Sequence, residues 1–100
     1  MNKNMMRQMQ EMQNKLEKAK EELETMTVEG SAGGGVVKVA MNGHQRALSV
    51  QIDSDIVDPS DIDTLQDVVL AAVNDASQKA QDLANNHLGS ITGGLGLPGL

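Results

Sequence analysis

Apolar residues recur every three or four positions through the first quarter of the chain. The members of this repeat, which we call the seam, are Met5, Met9, Met12, Leu16, Ala19, Leu23 and Met26. Alternating spacings of four and three residues are the a/d repeat of a helix with one apolar stripe. Gly30 is the first Gly or Pro of the chain, and the β-branched Thr27 and Val28 favour strand over helix. The pattern therefore predicts a helix over about residues 3–27.

Beyond this helix the apolar period falls to two, which is typical of strands. The alternating runs are Val37, Val39 and Met41, and then Leu48, Val50 and Ile52. Asn42-Gly43 lies between them and is the strongest short hairpin signal. A two-residue turn there would pair residue 37 with residue 48. The apolar face would then consist of Val37, Val39, Leu48, Val50 and Ile52. Thr27–Ser31 is predicted to form a third, shorter strand.

A second helix is predicted over about residues 60–87. Asp58-Pro59-Ser60-Asp61 offers cap residues, an early Pro and acids that suit the first helical turn. The stripe of this helix is rich in small residues and consists of Leu65, Val68, Val69, Ala72, Val73, Ala76, Ala80, Leu83 and His87. Gly89 is the predicted helix stop. The chain thus divides into one domain over residues 1–88 and a Gly-rich, flexible tail over residues 89–100.

Composition narrows the range of functions. The 100 residues, 39% of them hydrophobic, correspond to one small domain that is marginally stable as a monomer. The absence of Cys excludes zinc–thiolate sites and thiol nucleophiles, and the absence of Phe, Trp and Tyr excludes aromatic base-stacking platforms. The sequence shows neither a membrane span nor a secretory signal. We expect a soluble intracellular binding or structural module, not an enzyme, with no membrane partner and no small-molecule substrate.

Three groups of residues suggest a metal, phosphate or catalytic site, but none matches the sequence motif that such a site requires. The carboxylates are Asp53, Asp55, Asp58, Asp61 and Asp63. An EF-hand loop needs Gly and Glu where this chain has Asp58 and Thr64. The glycines at 30–35 lead into a strand and lack the GK[ST] of a phosphate loop. His44 and His87 belong to no catalytic or metal-binding motif. We expect no catalytic residue, no metal site and no cofactor.

Charge is distributed unevenly along the chain. The net charge is −6, but residues 1–20 carry five cations and two acids, a balance of +3. The cations of the first helix are Lys3, Arg7, Lys15, Lys18 and Lys20, and none occupies the seam. Charge asymmetry of this kind favours a polyanionic partner, although a solvated helix face has a similar composition. Lys15 and Lys20 would face each other in a parallel two-stranded coil, which disfavours a simple parallel zipper.

The ordered set of segments resembles the YbaB/EbfC family of bacterial nucleoid-associated proteins over about residues 3–98. Besides the Met/Gln/Lys-rich helix, the resemblance rests on Val28-Glu29-Gly30, Ala32–Val39, Asn42-Gly43, Ile52-Asp53, Asp61, Leu65-Gln66-Asp67, Ala71–Ala76, Gly93-Gly94-Leu95 and Leu97–Leu100. The departures are small. Gln66 stands where Glu is more usual, and Ala40-Met41 is less β-branched than is typical.

The resemblance implies an α+β protomer with a long N-terminal helix, a small antiparallel sheet of two to three strands and a C-terminal helix. It implies a tweezer-like homodimer whose sheets join and whose first helices project. It also implies binding of double-stranded DNA, a location in the cytoplasm at the nucleoid, and effects on gene expression. Lys3, Arg7, Lys15, Lys18 and Lys20 would then contact phosphates with little sequence preference. The alternative is a protein-interaction module that uses the Met-rich seam.

Overall fold

A computed structural model describes residues 2–92 and confirms the predicted α+β class. The elements are α1 (Lys3–Leu23), β1 (Thr27–Ala32), β2 (Val37–Asn42), β3 (Ala47–Ile52), a 3₁₀ turn (Ser54–Ile56) and α2 (Ile62–Thr92). The three strands form one antiparallel sheet in the order β1-β2-β3. The third strand predicted from the sequence is therefore present as β1.

The core lies between α2 and one face of β1 and β2. It consists of Val37, Val39, Met41, Ala72, Ala76 and Ala80, all buried. A Cβ added to Gly30 would lie only 2.5 Å from the Cα of Ala76, so β1 and α2 are in direct backbone contact. The small-residue stripe predicted for the second helix is the surface that permits this approach. Asp75 adds a polar link, because its carboxylate accepts a hydrogen bond of 2.9 Å from the amide of Ser31.

The register of the β2–β3 hairpin differs from the predicted one. Val37 pairs with Ile52 instead of residue 48, and Val39 pairs with Val50. Residues 43–46 form the loop, and the pairing shifts irregularly between Ala40 and Met41. The difference from the predicted register is an even number of residues, so side chains keep their faces. Val37, Val39, Val50 and Ile52 therefore still share one face, as predicted.

The reason for the longer loop is that Asn42-Gly43 anchors α1 instead of forming a type I′ turn. Among residues 2–92 the glycines with positive φ are Gly33, Gly34 and Gly35, and in the hairpin loop Gln45 has the positive φ of 61°. The Asn42 side-chain oxygen accepts the amides of His44 and Arg46 at 2.9 and 3.0 Å. Its side-chain nitrogen donates to the Glu24 carbonyl at 3.2 Å. Tertiary contacts thus override the local turn preference.

Both helices have ends that differ from the predicted ones. α1 ends at Leu23 instead of residue 27. α2 begins at Ile62, where Asp61 accepts the hydroxyl of Thr64 at 2.7 Å, and it continues through Gly89 to Thr92. The predicted stop at Gly89 is wrong, because α2 continues to Thr92 despite the roughly 1 kcal/mol helix penalty of Gly. In this last turn the hydroxyls of Ser90 and Thr92 donate to the carbonyls of His87 and Leu88 at 2.8 and 3.3 Å. Residues 93–100 of the predicted tail lie outside the described residues.

α1 and α2 run antiparallel, and α1 extends past the end of α2. His87 Nε2 lies 3.5 Å from Glu22 Oε1, and α2 leads away from the sheet while α1 arrives at it. The molecule is 70 Å long, whereas the 31 residues of α2 span about 46 Å. We call the extended residues 3–16 the arm. Met5 and Met9 in the arm are 51% and 60% exposed, whereas Ala19 and Leu23 further along the seam are 0% and 2% exposed.

Candidate nucleic-acid interface

All five cations predicted to bind DNA lie on α1 and are exposed. They are Lys3, Arg7, Lys15, Lys18 and Lys20. Within residues 2–92 the one ion pair made by a Lys or Arg joins Lys79 to Asp75 at 3.1 Å. The α1 cations are therefore not paired with any described carboxylate and are available to an external anion.

The helical geometry groups four of these cations and separates the fifth. At about 100° per residue, Lys3, Arg7, Lys15 and Lys18 fall within an arc of about 120° that excludes the seam, and Lys15 is at the end of this arc nearer the seam. We call these four residues the cation face. Lys20 lies about 100° away from its nearest member, on the other side of the helix. Lys20 occupies the last turn, where a cation favourably meets the negative end of the helix dipole, so it also has a structural role.

The tip of the arm carries positive charge where helix stability alone would favour negative charge. The first turn of α1 contains Lys3 and no acidic residue, and the first acid of the chain is Glu11. A cation in the first turn opposes the positive end of the helix dipole, at a cost of about 0.3–1 kcal/mol. The N-cap is satisfied by Asn2, whose side-chain oxygen accepts the Met5 amide at 2.8 Å. Helix stability therefore does not explain Lys3, and the Lys3–Arg7 pair at the tip is a candidate contact for an anion.

Negative charge increases toward the sheet and along α2. The second half of α1 and its C-cap carry the exposed acids Glu17, Glu21, Glu22 and Glu24. α2 adds the exposed Asp63, Asp67 and Asp82. The resulting field attracts a polyanion to the tip of the arm and repels it from the body of the protein.

Besides Lys79, which pairs with Asp75, two further exposed cations lie outside α1, and the sequence pattern does not single them out as contacts. Lys38 is exposed on β2, and Arg46 is exposed in the loop that holds the end of α1. The Asn42 side chain accepts the Arg46 amide and donates to the Glu24 carbonyl, so the Arg46 backbone is tied to the loop that holds the end of α1.

The aspartates that follow β3 act as local turn caps. Asp53 accepts the amide of Asp55 at 3.0 Å. Asp58 accepts the hydroxyl of Ser60 at 2.7 Å and its amide at 3.0 Å, and these bonds hold the pKa of Asp58 below its ordinary value. Across residues 2–92, no three acidic or histidine side chains are placed to share a metal ion. Neither helix, over the same residues, has an apolar stretch that could cross a membrane.

The apolar face of β3 is largely exposed. α2 covers β1 and β2, whereas β3 lies at the sheet edge away from the main α2 contacts. Leu48, Val50 and Ile52, which we call the β3 face, are all exposed although Val50 and Ile52 share a face with the buried Val39 and Val37. A contiguous apolar surface on a sheet edge is typical of a protein–protein interface.

Comparison with known proteins gives consistent matches over nearly the whole chain. Residues 1–95 match the model of the YbaB/EbfC DNA-binding family. A protein named nucleoid-associated protein from Syntrophobacter fumaroxidans is 50% identical over 97% of this chain and 88% of its own. One of the same name from Chloroflexus aggregans is 50% identical over 95% of this chain and 96% of its own. The crystal structure of an uncharacterized Helicobacter pylori protein has the same fold, with a TM-score of 0.71 and 22% identity over 86% of this chain and 91% of its own.

Proposed function

The chain belongs to the YbaB/EbfC DNA-binding family, and we propose that it binds duplex DNA as a homodimer with little sequence preference. We further propose that it acts in the cytoplasm at the nucleoid, where this binding contributes to nucleoid organisation and gene regulation. The observation that carries the proposal is the exposed cation face of α1, a helix whose arm extends from an acidic body.

Electrostatic attraction to phosphates is the proposed mechanism. Each phosphate that a cation neutralises releases bound counterions, and this release makes affinity depend steeply on salt. Two arms per dimer double the number of cations available to the duplex. Lys20 is the fifth proposed phosphate contact. Because it lies on a different side of α1 from the cation face, we expect it to contribute least to DNA affinity.

Base readout has less support than phosphate contact. Gln10 and Asn14 lie on the same side of α1 as the cation face, and their amides could reach base edges. Gln8 and Gln13 flank the seam instead. Without aromatic side chains the protein has no stacking platform, so we expect only a slight preference for particular sequences.

The β3 face supports the proposed homodimer. A chain of this size buries only about two-thirds of its unfolded surface, so a further apolar interface would add appreciably to its stability. Joining two β3 faces would remove the exposed Leu48, Val50 and Ile52 from water. This arrangement leaves both arms outside the interface and free to approach DNA.

An electrophoretic shift assay tests the proposed DNA binding. The full chain is titrated against two unrelated duplexes at about 50 and 200 mM salt, a range over which phosphate-dominated binding weakens strongly. We expect equal shifts on both duplexes at low salt and much weaker shifts at high salt. If neither duplex shifts at low salt, the proposal is overturned.

A protein-interaction module is the second candidate function. The exposure of Met5 and Met9 favours it, because a polarizable Met-rich helix surface adapts to many partners. This candidate predicts no binding to DNA at low salt and no effect of the cation face on partner binding.

A further inference from the structure

The seam of α1 has two halves with different surroundings. Its second half is buried at Ala19 and Leu23, where α1 packs beside α2. Its first half forms a groove of about 430 Å³. The groove is lined by Met5, Gln8, Met9, Met12, Gln13 and Leu16. The same apolar stripe thus serves the protomer's own packing at one end and is open at the other.

The groove begins where α2 ends. His87 of α2 is opposite Glu22 of α1, and both helices rise by about 1.5 Å per residue. Thr92, the last residue of α2, is therefore opposite about residue 17 of α1. A second helix laid antiparallel in the groove would continue the line of α2 along the seam.

The edges of the groove are almost uncharged. In the heptad in which Met9 is a and Met12 is d, the arm positions next to the seam are Met6, Gln8, Gln13 and Lys15. Lys3 and Arg7 occupy outward positions instead. With Lys15 as their one charged residue, these edges offer little attraction to a phosphate backbone or an acidic peptide, but they suit a helix of the same kind.

We propose that the occupant of the groove is the arm of a second copy of this chain, packed antiparallel. One antiparallel register aligns Met9 with Met12 of the second copy and Met5 with Leu16. Every seam layer is then apolar. At the edges Gln8 meets Lys15, and Met6 meets Gln13. No like charges meet, whereas a parallel pairing would set Lys15 against Lys20.

Arm pairing would link dimers to one another, and the smallest assembly that it gives is a tetramer. Because Lys3 and Arg7 lie opposite the seam, they stay exposed after pairing, whereas Lys15 of the cation face lies at the paired edge beside Gln8 of the second copy. Such a tetramer would present two DNA-binding units and could join two duplexes. The bridging of DNA rests on the proposed function, whereas the pairing of the arms does not.

Cross-linking tests the pairing and its direction, because the chain has no native Cys. Met9→Cys protein is mixed with Met12→Cys protein under mild oxidation, and each variant is also oxidised alone. Antiparallel pairing predicts several-fold more disulfide in the mixture than in either variant alone. Efficient cross-linking of each variant to itself would indicate parallel pairing and overturn the proposal. Gln10→Cys, on the outward side of the arm, is the matched control and should not cross-link.

Sedimentation at increasing concentration provides a second measurement. As concentration rises, the sedimenting mass of the wild-type chain should increase from that of the dimer to at least twice that value. Met9→Gln/Met12→Gln should abolish this increase. Gln preserves charge and helix propensity, so the variant should still shift DNA. Met9→Leu/Met12→Leu keeps the apolar seam and should still associate.

The remaining outcomes also decide the proposal. If the wild-type chain never doubles in mass and the Gln variant melts earlier, residues 93–100 of the same chain would be the occupant. If the mass never doubles and the melting temperature is unchanged, the groove would belong to a different protein. Either result overturns arm pairing. Failure of the DNA proposal has a separate signature, in which no variant shifts DNA while the cross-link persists.

Discussion

The amide of Gly43 donates a hydrogen bond of 2.8 Å to the carbonyl oxygen of Leu23, the last residue of α1. A Cβ added to Gly43 would lie 2.7–2.8 Å from the Cβ, Cδ2 and carbonyl oxygen of Leu23. The β2–β3 loop therefore holds the end of α1 at van der Waals distance. Since the arm is a rigid continuation of that helix, this contact helps to set its direction relative to the sheet.

Gly43→Ala should destabilise the protein by about 1–3 kcal/mol, because the added methyl group overlaps Leu23 backbone and side chain. The urea unfolding midpoint measures the effect. Gly34→Asn is the control: Gly34 has a φ of +76° that Asn tolerates, and a Cβ there meets nothing within 4 Å. Equal midpoints for Gly43→Ala and the wild-type chain would contradict the anchoring role.

Gly30→Ala should be more damaging than Gly43→Ala. The new methyl group would overlap the backbone of Ala76, which cannot move without separating α2 from β1. We expect a loss of cooperative unfolding or a fall in the unfolding midpoint that exceeds that of Gly43→Ala. A variant with a wild-type melting curve would show that the two backbones do not approach each other this closely.

Lys3→Ala/Arg7→Ala should weaken DNA binding to all sequences alike. The log–log salt dependence should flatten by roughly one unit for each phosphate that is no longer neutralised, because fewer counterions are released. Neither residue lies on the seam, and Lys3 opposes the helix dipole, so the melting temperature should not fall. Lys38→Ala on β2 is the matched control and should matter less.

Two results would contradict the role of the cation face. One is wild-type affinity and salt slope in the Lys3→Ala/Arg7→Ala variant. The other is a larger loss of affinity in Lys38→Ala, which would move the DNA-binding surface to the sheet. Loss of binding to one sequence only would instead indicate base readout.

Val50→Lys should dissociate the proposed homodimer. The measurement is made at micromolar concentration, below the concentration at which dimers associate through their arms. The wild-type chain should then sediment at about twice its 10.6 kDa mass, and the variant at the mass of one chain. A charge in the middle of the β3 face would be buried without a partner in the dimer. Leu70→Lys changes an equally exposed residue on the outer side of α2 and should leave the dimer intact. Dissociation by Leu70→Lys alone would place the interface on α2.

Asp75→Asn should show a stability deficit that depends on pH. The hydrogen bond from the Ser31 amide, aided by Lys79, holds the pKa of Asp75 below its ordinary value. The folded chain therefore gains stability above the unfolded pKa of about 3.9 and loses it as pH falls through the lower folded value. Asp75→Asn should lower the melting temperature at neutral pH, and the deficit should shrink below about pH 4. A deficit that stays constant with pH would contradict this origin.

Local periodicity was sufficient to predict most of the elements and the position of the candidate interface. The seam spacing placed the first helix, and the alternation around Val37 and Val50 placed two strands. The same seam spacing also placed the α1 cations off the apolar stripe. These properties depend on residues within a few positions of one another, where helix and strand geometry repeat regularly.

Contacts between distant residues decided the rest. Hydrogen bonds to Leu23 and Glu24 make Asn42-Gly43 an anchor for α1 instead of a two-residue turn. α2 continues through Gly89 to Thr92, past the predicted stop. The point at which α2 ends determines which seam residues are buried and which line the arm groove, although all seven follow the same repeat. A sequence pattern identifies an apolar face, but only the length and path of the other elements determine what covers that face, because burial depends on contacts between residues far apart in the chain.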